Sequence, residues 1–92
     1  MIRSFGDRET QLLFETGKSA RYSAIAKVAG RKLAQLDAAT TLEFLRAPRG
    51  NRLEALKGDR AGQYSIRIND QFRVCFVWTR EGPEQVEIVD YH

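Results

Sequence analysis

The residues able to do chemistry collect in the second half of the chain. Asp90-Tyr91-His92 sets an acid, a phenol and the sequence's one imidazole in consecutive positions. An imidazole with an ordinary pKa of about 6.5 exchanges protons near neutrality, a carboxylate orients it or takes a proton itself, and a phenol stacks or hydrogen-bonds. The same three residues at the end of a strand also describe a frayed terminus whose tyrosine closes the core. Upstream, Arg46, Arg49, Arg52, Lys57, Arg60, Arg67 and Arg73 face only Glu54, Asp59 and Asp70. That local excess is larger than the whole-chain net charge of +3, so an anionic partner suits this half of the molecule.

Alternation sharpens the basic cluster. Arg67 lies between Ile66 and Ile68, and Arg73 between Phe72 and Val74. In strands of period two both arginines leave the apolar face and project from the other. A hairpin turning at Asn69-Asp70 then brings the two guanidinium groups toward one surface. Phosphate is the ligand such a pair fits, through bidentate charge-assisted hydrogen bonds. A solvated sheet face, with ion pairs to Asp59, Asp70 or Glu87, accounts for the same pattern. Lys57 is either a solvated turn lysine or a further source of positive charge for such an anion.

The elements that must position these residues follow from periodicity. Met1–Phe5 suits a first strand. Asp7 caps a short helix that stops at Gly17, and Ser23 caps a longer one from Ala24 to about Ala38, with Ile25, Val28, Ala29, Leu33 and Leu36 at helical spacing. Ala38–Leu45 is a transition with room for one more helical turn, and Arg46–Arg52 is a basic, turn-rich loop. Leu53–Lys57 is a short strand or its approach. Tyr64–Ile68, Phe72–Trp78 and Val86–Val89 alternate as strands, with turns at Asn69-Asp70 and Glu81-Gly82-Pro83. The order predicts an α+β fold in one domain over residues 1–92, an N-terminal strand and a helical hairpin packed on a small antiparallel sheet. Cys75 is alone, which leaves no disulfide framework and no thiolate metal site, and it reads as a small core residue. The scattered acids and single histidine build no metal site either. With no apolar stretch of membrane-spanning length and no signal-peptide pattern in Met1-Ile-Arg-Ser, the expectation is a soluble, cytoplasmic protein without a membrane partner.

Leu53–Arg60 (LEALKGDR) with Gly62, the hairpin Ser65-Ile-Arg-Ile-Asn-Asp-Gln-Phe-Arg73 and the final Asp90-Tyr91-His92 together resemble a RelE/HigB-type toxin of bacterial type II toxin–antitoxin modules. The likeness covers the whole chain and is closest to the HigB branch, including members called GraT. It implies a RelE-like fold and a ribosome-dependent endoribonuclease that enters the A site of the 30S subunit and cuts mRNA, inhibiting translation. It also implies neutralisation by a cognate helix-turn-helix antitoxin, with operator DNA bound only through the toxin–antitoxin complex. The catalytic positions it implies are Lys57, Arg73, Asp90, Tyr91 and His92. At position 54, where some HigB-like toxins carry a histidine, this chain has Glu54, so a scheme with two imidazoles does not carry over.

Metal-independent RNA cleavage suits these residues. Arg73 and Lys57 neutralise charge developing on the phosphate, Tyr91 stacks on a splayed base or bonds the phosphate, and His92 donates to the leaving 5′-oxygen. Asp90 and the terminal carboxylate favour the imidazolium, with Asp90 orienting it or serving as base. Arg49, Arg52, Arg60 and Arg67 are assigned to the RNA backbone. Two other functions stand beside this one: a ParE-like toxin, which shares the fold but inhibits gyrase without cutting RNA and against which the set Lys57, Arg73 and Asp90-Tyr91-His92 argues, and a non-catalytic RNA-binding module.

Overall fold

A computed structural model describes residues 1–91; the side chain of Arg49 lies outside that description, as does His92. Asp7 opens helix α1 (Arg8–Thr16), its Oδ1 accepting from the Thr10 amide at 2.7 Å, and Gly17 closes the helix in the left-handed conformation at φ 78°. Helix α2 spans Ala26–Ala38 and starts later than predicted, because Ser23–Ile25 tighten into a 3-10 turn. Ser23 caps neither element. The serine at work there is Ser19, whose Oγ accepts from the Tyr22 amide and donates to Glu9. No helix among the described residues is long and apolar enough to cross a membrane.

Further 3-10 turns at Glu43–Leu45, Arg49–Asn51 and Gly58–Arg60 carry the chain past a two-residue strand β1 (Glu54–Ala55). It then forms β2 (Tyr64–Arg67), β3 (Phe72–Thr79) and β4 (Gly82–Asp90). The sheet is antiparallel in the order β1-β2-β3-β4, the meander that alternation predicts. The last strand begins at Gly82 and not near Val86, and the turn is Arg80-Glu81. Gly82 pairs with Thr79, whose hydroxyl donates to the glycine carbonyl at 2.7 Å. Pro83 is tolerated because β4 is an outer strand, where the missing amide breaks no ladder. Gly82 is needed: at φ 134° a Cβ there would strike the Met1 carbonyl.

The ladder slips between Cys75 and Val77, and Gln85 takes a positive φ of 53°. This bulge turns β4 toward the amino-terminal segment, which contributes one parallel bridge, Phe5 to Val86, in place of a full first strand. Farther along, the Ile88 amide donates to Thr10 Oγ1 at 3.0 Å and its carbonyl accepts from Tyr22 Oη at 3.3 Å. The outer edge of β4 is thus occupied by the amino-terminal segment and by helix-side hydroxyls, which protects it from pairing with another chain.

Leu13, Leu33 and Leu36 of the helices pack on Ile66, Val74, Phe76, Val86 and Ile88 of one sheet face, with Leu45 completing the cluster. Burying each such side chain stabilises the fold by about 1.5–3 kcal/mol. The chain is therefore α+β, with two helices on one side of a four-stranded sheet. The opposite face is left for the arginines.

Candidate active site

The register lays out that second face row by row. Glu54 pairs with Ser65, Ser65 with Cys75 and Cys75 with Glu87; the next row is Arg67, Arg73 and Val89. Ser65 and Cys75 are fully buried although the helices are on the other side. Polar side chains cover them. Arg60 donates to Gln63 and to Glu87, each at 3.0 Å, and Arg73 lies across Ser65. Cys75 is a buried residue as predicted, but outside the helix-side core cluster. Burial, above all, raises its thiol pKa, while the Glu87 contact raises that of Arg60.

Arg73 is the centre of the arrangement. Its Nε donates to Ser65 Oγ at 2.7 Å, and its Nη2 to the Arg52 carbonyl at 2.7 Å. The Glu54 carboxylate stands 3.9 Å from Nη2, and the guanidinium carbon is 5.5 Å from the centre of the Tyr91 ring. The side chain is only 12% exposed, so its charge is held in one direction by its neighbours. Among the described residues Nη1 makes no hydrogen bond. Tyr91 is held beyond the end of β4 by its amide, which donates to the Gln71 carbonyl at 2.6 Å, and its ring is exposed. An aromatic face over a desolvated arginine, with a carboxylate beside it, can bind a phosphate and stack a base.

The other residues singled out by sequence sort around this centre. Glu54, marked there only as a missing histidine, is one of Arg73's neighbours. Lys57 is exposed on the turn that precedes Gly58–Arg60, and its side chain meets no partner among the described residues. Arg52 reaches Arg73 through its carbonyl. Arg67 is directly opposite Arg73, yet its guanidinium turns away to Asp70 at the hairpin tip. The expected convergence of two guanidinium groups gives way there to the ion pair that alternation also allowed. Arg60 is likewise engaged, by Glu87.

Asp90 pairs with Phe72 and so belongs to the helix side of the sheet. It accepts from Gln71 Nε2 at 3.0 Å and lines a cavity of about 320 Å³ with Arg21, Tyr22 and Phe72. The strand does not bend before Asp90, so the structure brings Tyr91 to Arg73 and sends Asp90 to the opposite face. His92 lies outside the described residues. Sequence alone does not mark Ser65 or the Arg52 carbonyl as parts of the site. Parity with Arg67 was the available signal for Ser65, but nothing local announces which carbonyl an arginine will find.

Comparison with known proteins bears on the family of the chain. Over 80 residues the chain is 41% identical to a protein of Vibrio cholerae serotype O1 named "Toxin HigB-1", covering 85% of this chain and 84% of that protein. An uncharacterized protein of Haemophilus influenzae is 37% identical over 62 residues, 67% of this chain and 59% of its own length. A family model described as the RelE-like toxin of type II toxin–antitoxin system HigB matches residues 3–92. A toxin of such a module has a cognate antitoxin as its partner. With nearly every residue covered by that match, the chain belongs to the HigB-like toxins, the RelE-like toxins of type II toxin–antitoxin systems.

Proposed function

We propose that this protein, acting as one domain, is a ribosome-dependent endoribonuclease that cuts mRNA in the A site and so arrests translation. The observation that carries the reading is Arg73, desolvated, aimed by Ser65 and Arg52, and covered by the exposed ring of Tyr91. In the proposed reaction the 2′-oxygen attacks the adjacent phosphorus, the bond to the 5′-oxygen breaks, and a 2′,3′-cyclic phosphate forms. Nη1 of Arg73 stabilises the charge on the non-bridging oxygens, which is the largest single contribution in chemistry of this kind. Lys57 adds charge at the rim, and Tyr91 stacks on a splayed base.

Removal of the 2′-proton needs a base on the same face as Arg73. Glu54 fits that requirement at 3.9 Å from the guanidinium, whereas Asp90 sits on the helix side and suits a role in holding the end of the chain. His92 is the proposed donor to the leaving oxygen. Lys57, Arg49, Arg52, Arg60 and Arg67 supply the cationic surface for messenger or ribosomal RNA, although Arg60 and Arg67 must exchange carboxylate partners for phosphate to do so. The partners proposed are the ribosome, its mRNA and a helix-turn-helix antitoxin, through which the complex reaches operator DNA, in the cytoplasm. Purified protein with translating ribosomes should yield fragments with 5′-hydroxyl and 2′,3′-cyclic or 3′-phosphate ends. Intact message in that assay, with loss of gyrase supercoiling or mere RNA binding, would remove this reading.

A further inference from the structure

We propose that Asn51 is a positioning residue for Arg73, acting through the carbonyl of Arg52; the proposal rests on reading Arg73 as the phosphate-binding group. Asn51 is fully buried in a loop whose neighbours Ala47, Gly50 and Arg52 are exposed. A buried amide is costly unless each of its groups is paired. Here the pairing is complete: Oδ1 accepts from Lys32 Nζ at 2.5 Å, and Nδ2 donates to Gln35 Oε1 at 3.1 Å and to the Leu45 carbonyl at 3.2 Å. Lys32 gives up part of its hydration for this contact, and burial, with Arg31 and Arg67 nearby, lowers its pKa. The amide therefore fastens the 49–51 turn to helix α2.

The consequence falls on the next residue. Arg52 is held at φ 45°, ψ 57°, a left-handed conformation that a residue with a side chain rarely adopts. Such a conformation persists where the surroundings over-determine it. Asn51 holds the chain before it, and Leu53, packed against the core cluster, holds it after. The product of that turn is the direction of one carbonyl, and it accepts from Arg73 Nη2 at 2.7 Å. With Nε on Ser65 and Nη2 on Arg52, the guanidinium plane is set, and Nη1 is the nitrogen that makes no hydrogen bond among the described residues. Helix α2, on the other side of the sheet, thereby aims the arginine. A loop anchor without this role would matter only for stability.

The test uses the full chain labelled with ¹⁵N, with Asn51→Ser and Lys32→Met variants. Three quantities are read: the Arg73 Nε–H resonance, thermal melting, and cleavage rate against ribosome concentration. Folded variants should shift that resonance and lower kcat about tenfold or more, the scale of a misplaced group, with the half-saturating ribosome concentration unchanged. If Asn51→Ser does not fold, Lys32→Met, which removes one bond at the rim of the amide, carries the same readings with a smaller change. A folded variant with the wild-type Arg73 resonance and wild-type kcat overturns the proposal. If the unmodified protein cuts no mRNA, the nuclease reading falls, and the resonance alone decides whether Asn51 aims Arg73.

Discussion

Replacing Arg73 by lysine keeps the charge and removes the geometry, so it isolates what the site depends on. The guanidinium reaches Ser65 Oγ and the Arg52 carbonyl at once, both at 2.7 Å; a lysine has one nitrogen and can serve one of them. Ser65 is fully buried, so its hydroxyl cannot turn to water when left alone. Losing one charge-assisted hydrogen bond costs about 1.5–3 kcal/mol, and losing the contact with the Tyr91 ring about 0.5–1 kcal/mol more. The total, about 2–4 kcal/mol, is a large share of the 5–15 kcal/mol typical of a domain, and at about 4–8 °C per kcal/mol it lowers the melting temperature by at least about 8 °C. Cleavage should fall further than stability alone explains, by about 10²- to 10³-fold, the cost of one preorganised donor at a developing oxyanion. Thermal melts and primer-extension mapping on ribosomes at a temperature where the variant is folded separate the two effects. An Arg73→Lys protein that melts and cuts like the parent would show that a positive charge suffices and that the fixed guanidinium plane is irrelevant.

Glu54→Gln removes a half-exposed carboxylate 3.9 Å from Arg73, so unfolding free energy should change by less than about 1 kcal/mol while cleavage falls by about 10²-fold or more. An unchanged rate would take Glu54 out of the chemistry. Tyr91→Phe preserves the ring over Arg73 and should keep most activity, whereas Tyr91→Ala should lose about tenfold; equal rates for the two would sink the stacking role. Asp7→Ala removes the side-chain N-cap of α1 and should lower stability by about 1 kcal/mol in urea denaturation, leaving cleavage untouched. Because burial raises the Cys75 thiol pKa, the folded state keeps that proton when the unfolded chain has lost it. Stability should therefore fall as pH rises through and above the ordinary thiol range, and Tyr22, raised mainly by burial, adds a slope of the same sign at higher pH. A Cys75→Ala protein whose urea midpoint keeps the full alkaline slope would contradict the first part.

Local chemistry was legible wherever one residue's preference decides the backbone. Asp7 and Gly17 bound α1 as read, because a capping oxygen and a glycine in the left-handed region are set by their own neighbours. Alternation in Tyr64–Ile68 and Phe72–Trp78 separated the core face from the arginine face before any pairing was known. It failed at β4, where Glu81-Gly82-Pro83 looks like a turn; Gly82 instead serves a close approach to Met1, and Pro83 is allowed by an outer strand.

The amino-acid order by itself determined the α+β class, the burial of the helix faces, and the side of the sheet on which Arg67 and Arg73 stand. Parity also carried the conflict inside Asp90-Tyr91, since adjacent strand residues face opposite ways unless the strand ends between them. Folding resolves that conflict: β4 runs on through Asp90, so Tyr91 joins Arg73 and Asp90 faces the helices. It also decided that Arg67 pairs with Asp70, and that Glu54, Ser65 and the Arg52 carbonyl surround Arg73. The contacts of Arg73 with Glu54 and with the Arg52 carbonyl join residues about twenty apart in sequence through a two-residue strand and one left-handed residue. Neither has a periodic signature: the strand exists through its pairing with β2, and the left-handed residue follows the buried amide of Asn51.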